Sequence, residues 1–158
     1  MSPPLQLDRY FLTSFRLDAA PWPDAMAQLE GNAVTWQVKT MTAAANHVAN
    51  PARWKLELKV DVSAHGEGLS PYKANVSFTG FFTVAGDYPQ EKAQQLVQTT
   101  GGSILYGAIR EMLANVTARG PWPMLTLPTV SFFPAKQLSQ PSAREIADHS
   151  RSTEVVRE

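Results

Sequence analysis

His47, His65 and His149 are the side chains best suited to hold a metal or move a proton in this 158-residue sequence, and their spacing suits neither task. A zinc site on a helix needs pairs such as HExxH, in which two imidazoles share one face. All three histidines fall near expected turns or in the polar C-terminal stretch, and they read as solvated loop residues. Glu111 is the carboxylate on the most apolar helical stretch. Its neighbour Arg110 points in a different direction, so Glu111 suits a surface or interface ion pair better than acid–base work. Gly101-Gly102 lacks the GxxxxGK[ST] and GxGxxG spacings that cradle phosphates and reads as a hinge. GxSxG is absent. There is no cysteine, which excludes disulfides, thiolate chemistry and cysteine-based zinc sites. The inventory points away from an enzyme and calls for no cofactor and no metal.

Formal net charge is zero, where a nucleic-acid or anionic-membrane binder would carry a basic excess. With 44% apolar and 18% charged residues, the chain has the composition of a folded domain. The start, MSPPLQLDRYFL, lacks the basic–apolar–small order of a signal peptide, and no run of apolar residues is long enough to span a bilayer. The expected location is the cytoplasm. We expect one domain over residues 1–141 and a polar, flexible tail over 142–158.

Four stretches carry strand periodicity. In RWKLELKVDVSAH (Arg53–His65), Trp54, Leu56, Leu58, Val60, Val62 and Ala64 alternate with Lys55, Glu57, Lys59, Asp61 and Ser63, giving one buried and one wet face. Tyr72–Ala85 places Tyr72, Ala74, Val76, Phe78, Gly80, Phe82 and Val84 on one face, with Gly80 marking a bulge or a close approach. Val34–Ala43 offers Val34, Trp36, Val38 and Thr40, or the shifted set. Gln6–Leu17 alternates loosely, with Leu7, Arg9, Phe11, Thr13, Phe15 and Leu17 on one side. HGEGLSP (His65–Pro71) is a turn.

Helices follow. Asp87 is placed to cap a first helix starting near Pro89, and Gly101-Gly102 breaks or bends it. Ser103 then caps a longer helix with Leu105, Ile109, Met112 and Val116 recurring on one face, joined by Ala108 and Leu113. Gly107 costs helix stability and suggests close packing there. Gly120 and Pro121 end the helix. Pro134–Gln140 suits a short helix limited by Pro141. Strands first and helices later predict an α+β fold: a four-stranded antiparallel sheet, a long helix, a Pro-rich crossover loop and a short second helix.

RGPWPMLTLPTVSFFPA (Arg119–Ala135) carries no charge from Gly120 onward, and four of those sixteen residues are proline. It is too broken for a helix and too apolar for an ordinary loop. Core packing is one reading. A groove wall, partly wet and partly apolar, suits its backbone polar groups better. Trp36, Trp122, Phe132 and Phe133 together represent ~600 Å² of side chain, at the upper limit of an exposed patch on a monomer.

Three stretches in order, FFTVAG (Phe81–Gly86), GGSILYGAIREM (Gly101–Met112) and ARGPWPMLTLPTVSF (Ala118–Phe132), resemble the SecB family of protein-export chaperones. The pattern is a strand ending in an apolar-AG motif, a helix, an RG-x-[FW]-P-x-L-x-L break and a V-[NS]-F. Arg110-Glu111, Arg119-Gly120, Pro123, Leu125, Leu127, Val130 and Phe132 fall where that pattern wants them. The N-terminal half matches only in layout.

The resemblance implies a homotetramer, a dimer of dimers, that binds unfolded polypeptides without ATP in long apolar grooves. The clients would be preproteins or an aggregation-prone antitoxin. By position and hydrophobicity, the groove falls to Trp36, Phe78, Phe82, Trp122, Met124, Leu125, Leu127, Phe132, Phe133 and Leu138. The subunit contact falls to Ile104, Gly107, Ala108 and Met112. Export chaperones dock the motor SecA on an acidic sheet surface; here the wet strand residues are mixed in sign, a departure from that type. The competing readings are a small-ligand carrier with an apolar cavity between sheet and helix, and a purely structural oligomer.

Overall fold

The structure, a computed structural model, describes residues 2–21, 34–66 and 70–133. The expected short helix at 134–140, Leu138, His149 and the tail lie outside the described residues. Four strands form one antiparallel sheet: β1 (Leu5–Ala19), β2 (Trp36–Asn46), β3 (Arg53–Ala64) and β4 (Tyr72–Val84), in the spatial order β1-β4-β3-β2. β2, β3 and β4 run as a meander, and β1 closes the sheet beside β4. In the turn after β3, Gly66 takes φ +96°, the left-handed region that glycine tolerates.

β3 shows the simplest link from sequence to burial. Leu56, Leu58 and Val60 are fully buried and Val62 nearly so, while Lys55, Glu57 and Lys59 between them are exposed. β4 follows suit, with Tyr72, Val76, Phe82 and Val84 at 1% exposure or less. β2 takes the first of its two possible phases: Trp36, Val38, Thr40, Thr42 and Ala44 face the core side and are half-buried.

β1 departs from the expected alternation. Its register against β4 shifts between Leu7 and Arg9 and again between Leu12 and Ser14. Each bulge inserts one residue and reverses the phase. The set opposite the core residues of β4 is therefore Leu5, Leu7, Tyr10, Leu12, Phe15 and Leu17. Arg9 and Phe11 belong to the wet face, contrary to the loose alternation in the sequence. Gly80 is not a bulge: it pairs in regular register with Tyr10 and Leu56. A Cβ there would lie 2.7 Å from the Phe82 ring and 3.0 Å from Leu105, so glycine serves close approach.

One helical stretch crosses the sheet. α1 (Gln90–Leu96) begins after Pro89, with no side-chain cap, so Asp87 does not cap it. The helix does not break at Gly101-Gly102. It widens into a π-helical turn over Val97–Gly101 and continues as α2 (Gly102–Thr117). Ser103 is inside this continuous helix, and its hydroxyl donates to the Thr99 carbonyl at 2.8 Å instead of capping. Gly101 allows the wide turn to sit on the sheet: a Cβ would meet Leu56 and Phe82 at 3.1 Å. Leu105, Ile109 and Leu113 are fully buried on the core face of α2. Met112 is half-buried and Val116 38% exposed, which puts the buried stripe to one side of the predicted one.

Candidate functional site

α2 ends at Thr117, and a turn made by the Arg119 and Gly120 amides leads into the uncharged segment. Gly120 is not left-handed; a Cβ there would collide with the Tyr72 hydroxyl. The segment then returns along α2 as an extended strap. The Leu125 amide donates to Thr117 Oγ1 at 2.9 Å, the Tyr106 hydroxyl donates to the Pro128 carbonyl at 2.7 Å, and the Phe132 ring covers Gly102. The fifteen helical steps from 117 to 102 rise ~23 Å, and the seven extended steps from 125 to 132 span about the same. The strap is therefore a straight chain laid antiparallel to the helix.

Its residues alternate. Leu125 and Leu127 are at 0% and 2% exposure, and Val130 and Phe132 are half-buried. Met124, Thr126, Pro128, Ser131 and Phe133 face outward. Thr117 Oγ1 donates to the Leu113 carbonyl at 2.6 Å while accepting the Leu125 amide, so one hydroxyl joins the helix end to the strap. Trp122 is anchored at the strap's start. Its Nε1 donates to the Ala20 carbonyl at 3.0 Å, and the Tyr72 hydroxyl meets both its amide and its carbonyl.

These contacts place the expected groove residues in two environments. Phe78, Phe82, Trp122, Leu125 and Leu127 are core residues, each 6% exposed or less, and their role is to fasten strap and helix to the sheet. Trp36 and Phe132 are half-buried against that core, and Met124 and Phe133 are exposed at 55% and 73%. Among the expected contact residues, Ile104 is 39% exposed, Gly107 has open space around it, and Ala108 and Met112 are half-buried on α2. Sequence reasoning missed Tyr10, Leu12 and Phe15. They lie on the helix side of β1, yet remain 38–47% exposed, because the helix does not cover that edge.

Among the described residues no group of three or more histidines, cysteines or carboxylates could hold a metal ion. Burial pushes the Tyr106 hydroxyl above its ordinary value, partly opposed by Arg110. No described helix is long and apolar enough to cross a membrane.

Sheet, helix and strap define an α+β protein whose non-helical crossover completes the core with one side and leaves an uncharged side, with Met124 and Phe133, outward. The chain belongs to the SecB family: the family model described as preprotein translocase subunit SecB matches residues 1–140. The chain is 26% identical over 132 residues to the protein-export protein SecB of Alcanivorax borkumensis, covering 80% of each chain. It is 26% identical over 86 residues to that of Anaplasma phagocytophilum, covering 53% of this chain and 54% of the relative. Its fold matches the SecB-like chaperone Rv1957 of Mycobacterium tuberculosis, solved in complex with a ChAD peptide from the HigA1 antitoxin. That match has a TM-score of 0.61 and 20% identity, and covers 80% of this chain and 90% of the other.

Proposed function

We propose that the chain is an ATP-independent chaperone of the cytoplasm that holds non-native polypeptides on apolar surface beside the strap, without enzymatic activity. The observation that carries this is the strap itself. Its inward residues fix it to the core, and its outward side keeps Met124 near its start and Phe133, next to the half-buried Phe132, at its end in solvent. A pre-formed, uncharged, proline-stiffened surface lowers the ordering cost of binding, and methionine and aromatic side chains accept varied partners. Preproteins and an antitoxin segment are the two client classes that the relatives' names bring to this reading.

Assembly as a dimer of dimers would use the uncovered strip of α2, with Ile104, Gly107, Ala108 and Met112, together with Tyr10, Leu12 and Phe15 of β1. Several client surfaces on one particle would add avidity for a long chain. The carrier reading has less support, because fully buried Leu56, Leu58, Phe82, Leu105, Ile109 and Leu113 occupy the space between sheet and helix.

The test is light scattering of an unfolded, aggregation-prone polypeptide diluted from denaturant, without ATP. Suppression by the native chain, and its loss in the Met124→Ser/Phe133→Ser variant at unchanged stability, supports the reading. A variant as active as the native chain removes the strap from client binding, and no suppression at large excess removes general chaperone activity.

A further inference from the structure

The face of the sheet away from the helix carries a feature that client binding does not use. Pairing places Ala45, Lys55, Phe81 and Arg9 directly opposite one another, in one row across all four strands. Arg53 pairs with Thr83 beside it, and the His47 amide donates to the Arg53 carbonyl at 2.8 Å. Asp8, Arg9, His47, Arg53, Lys55 and Phe81 line a hollow of about 630 Å³. The Arg9 guanidinium lies 4.9 Å from the Phe81 ring centroid, and the Phe11 ring packs against the same ring at 6.0 Å.

The charge is unbalanced in a definite way. Lys55 is paired with Glu57, and Asp8, which also lines the hollow, keeps its negative charge while accepting from the Thr83 hydroxyl at 2.8 Å, so Arg9 and Arg53 leave the hollow one positive charge in excess. Arg9 and Arg53 are both exposed and have no carboxylate partner among the described residues. His47 Nδ1 accepts the Ala49 amide at 3.2 Å, which leaves Nε2 as a donor. Two guanidiniums without ion-pair partners, beside an aromatic ring and with a net positive balance, match an apolar side chain flanked by carboxylates. The row is three strand spacings wide, ~14 Å, about the length of four extended residues.

We propose that this row docks an acidic, apolar-bearing segment of a partner protein, laid across the strands. Its sign is opposite to the acidic sheet surface that the family resemblance implied, so the partner it fits is acidic and not basic. The site lies on the face opposite α2 and the strap and stands independently of the client surface.

The experiment is a fluorescence anisotropy titration of the full chain against a fluorescein-labelled pentapeptide alternating glutamate and leucine. A lysine–leucine counterpart serves as the control. The glutamate peptide is expected to saturate, to weaken with added salt, and to bind about tenfold more weakly or worse to the Arg9→Glu/Arg53→Glu variant. The lysine peptide is expected not to bind, and Met124→Ser/Phe133→Ser is expected to bind the glutamate peptide as the native chain does. Arg53→Gln, which removes one charge without reversing it, is expected to fall between the two and covers a failure of the double variant to fold. Equal binding of both peptides, undiminished binding by the arginine variants, or loss of binding in the Met124→Ser/Phe133→Ser variant would overturn the proposal. Displacement by inorganic phosphate at millimolar level would overturn it too, by reducing the hollow to a simple anion site.

Discussion

The Tyr72 hydroxyl lies 3.1 Å from the Trp122 amide, which donates to it, and 2.9 Å from the Trp122 carbonyl, which accepts from it. One side chain at the start of β4 therefore satisfies both backbone groups of a residue fifty positions away, and the ring also fills the space that Gly120 leaves open. Replacing Tyr72 by Phe keeps the ring and removes both bonds. The expected loss is about 1–3 kcal/mol, because buried polar groups lose their partner. It is read as a lower urea midpoint with an unchanged slope.

Thr117 makes the second fastening. Thr117→Val keeps the shape, but takes the acceptor from the Leu125 amide, and should cost about 1–3 kcal/mol. Thr117→Ser keeps the hydroxyl and should recover most of that loss. A valine variant as stable as the native chain would mean that the strap is held by its leucines alone.

Two glycines in one helical stretch should respond in opposite directions to alanine. At Gly101 a Cβ meets Leu56 and Phe82 at 3.1 Å, and overpacking there should cost about 1–3 kcal/mol. At Gly107 nothing lies within 4 Å, so alanine should raise the stability of the isolated subunit by up to about 1 kcal/mol. Thermal unfolding of the two variants, with sedimentation of Gly107→Leu to test assembly, separates fold from association.

Stability should also fall in alkali. Burial raises the Tyr106 hydroxyl above its ordinary value, and Arg110 only partly offsets this. The folded state holds that proton more tightly than the unfolded chain does. The associated stability is therefore complete below the unfolded value, about pH 10, and is lost as pH rises through the folded one. Tyr106→Phe should flatten that alkaline limb while lowering stability at neutral pH, where the bond to the Pro128 carbonyl is lost.

The sheet was legible in proportion to how regularly each strand pairs. β3 has one dry face and no bulge, so its alternation in sequence is its alternation in space. β1 is read wrongly from periodicity, because two inserted residues reverse its phase and only pairing with β4 reveals them. The strap's straightness was legible in its prolines, but its direction was not. Leu125 and Leu127 look the same in sequence whether they face out or in, and the Thr117 and Tyr106 contacts set the direction in which the strap presents them. The basic row on the opposite face was invisible, since Arg9, Lys55 and Phe81 become neighbours only through register.

The uncovered edge of β1 has a consequence for the life of the chain itself. Among the described residues β1 is a long outermost strand with no partner on its outer side, and with Tyr10, Leu12 and Phe15 exposed along it, it is the kind of template on which chains aggregate. Until that edge is covered, a newly made subunit shares the hazard of the polypeptides it would protect. In the proposed dimer of dimers its safety would depend on how fast copies meet, and the abundance of the protein would set a threshold below which the subunit is itself at risk.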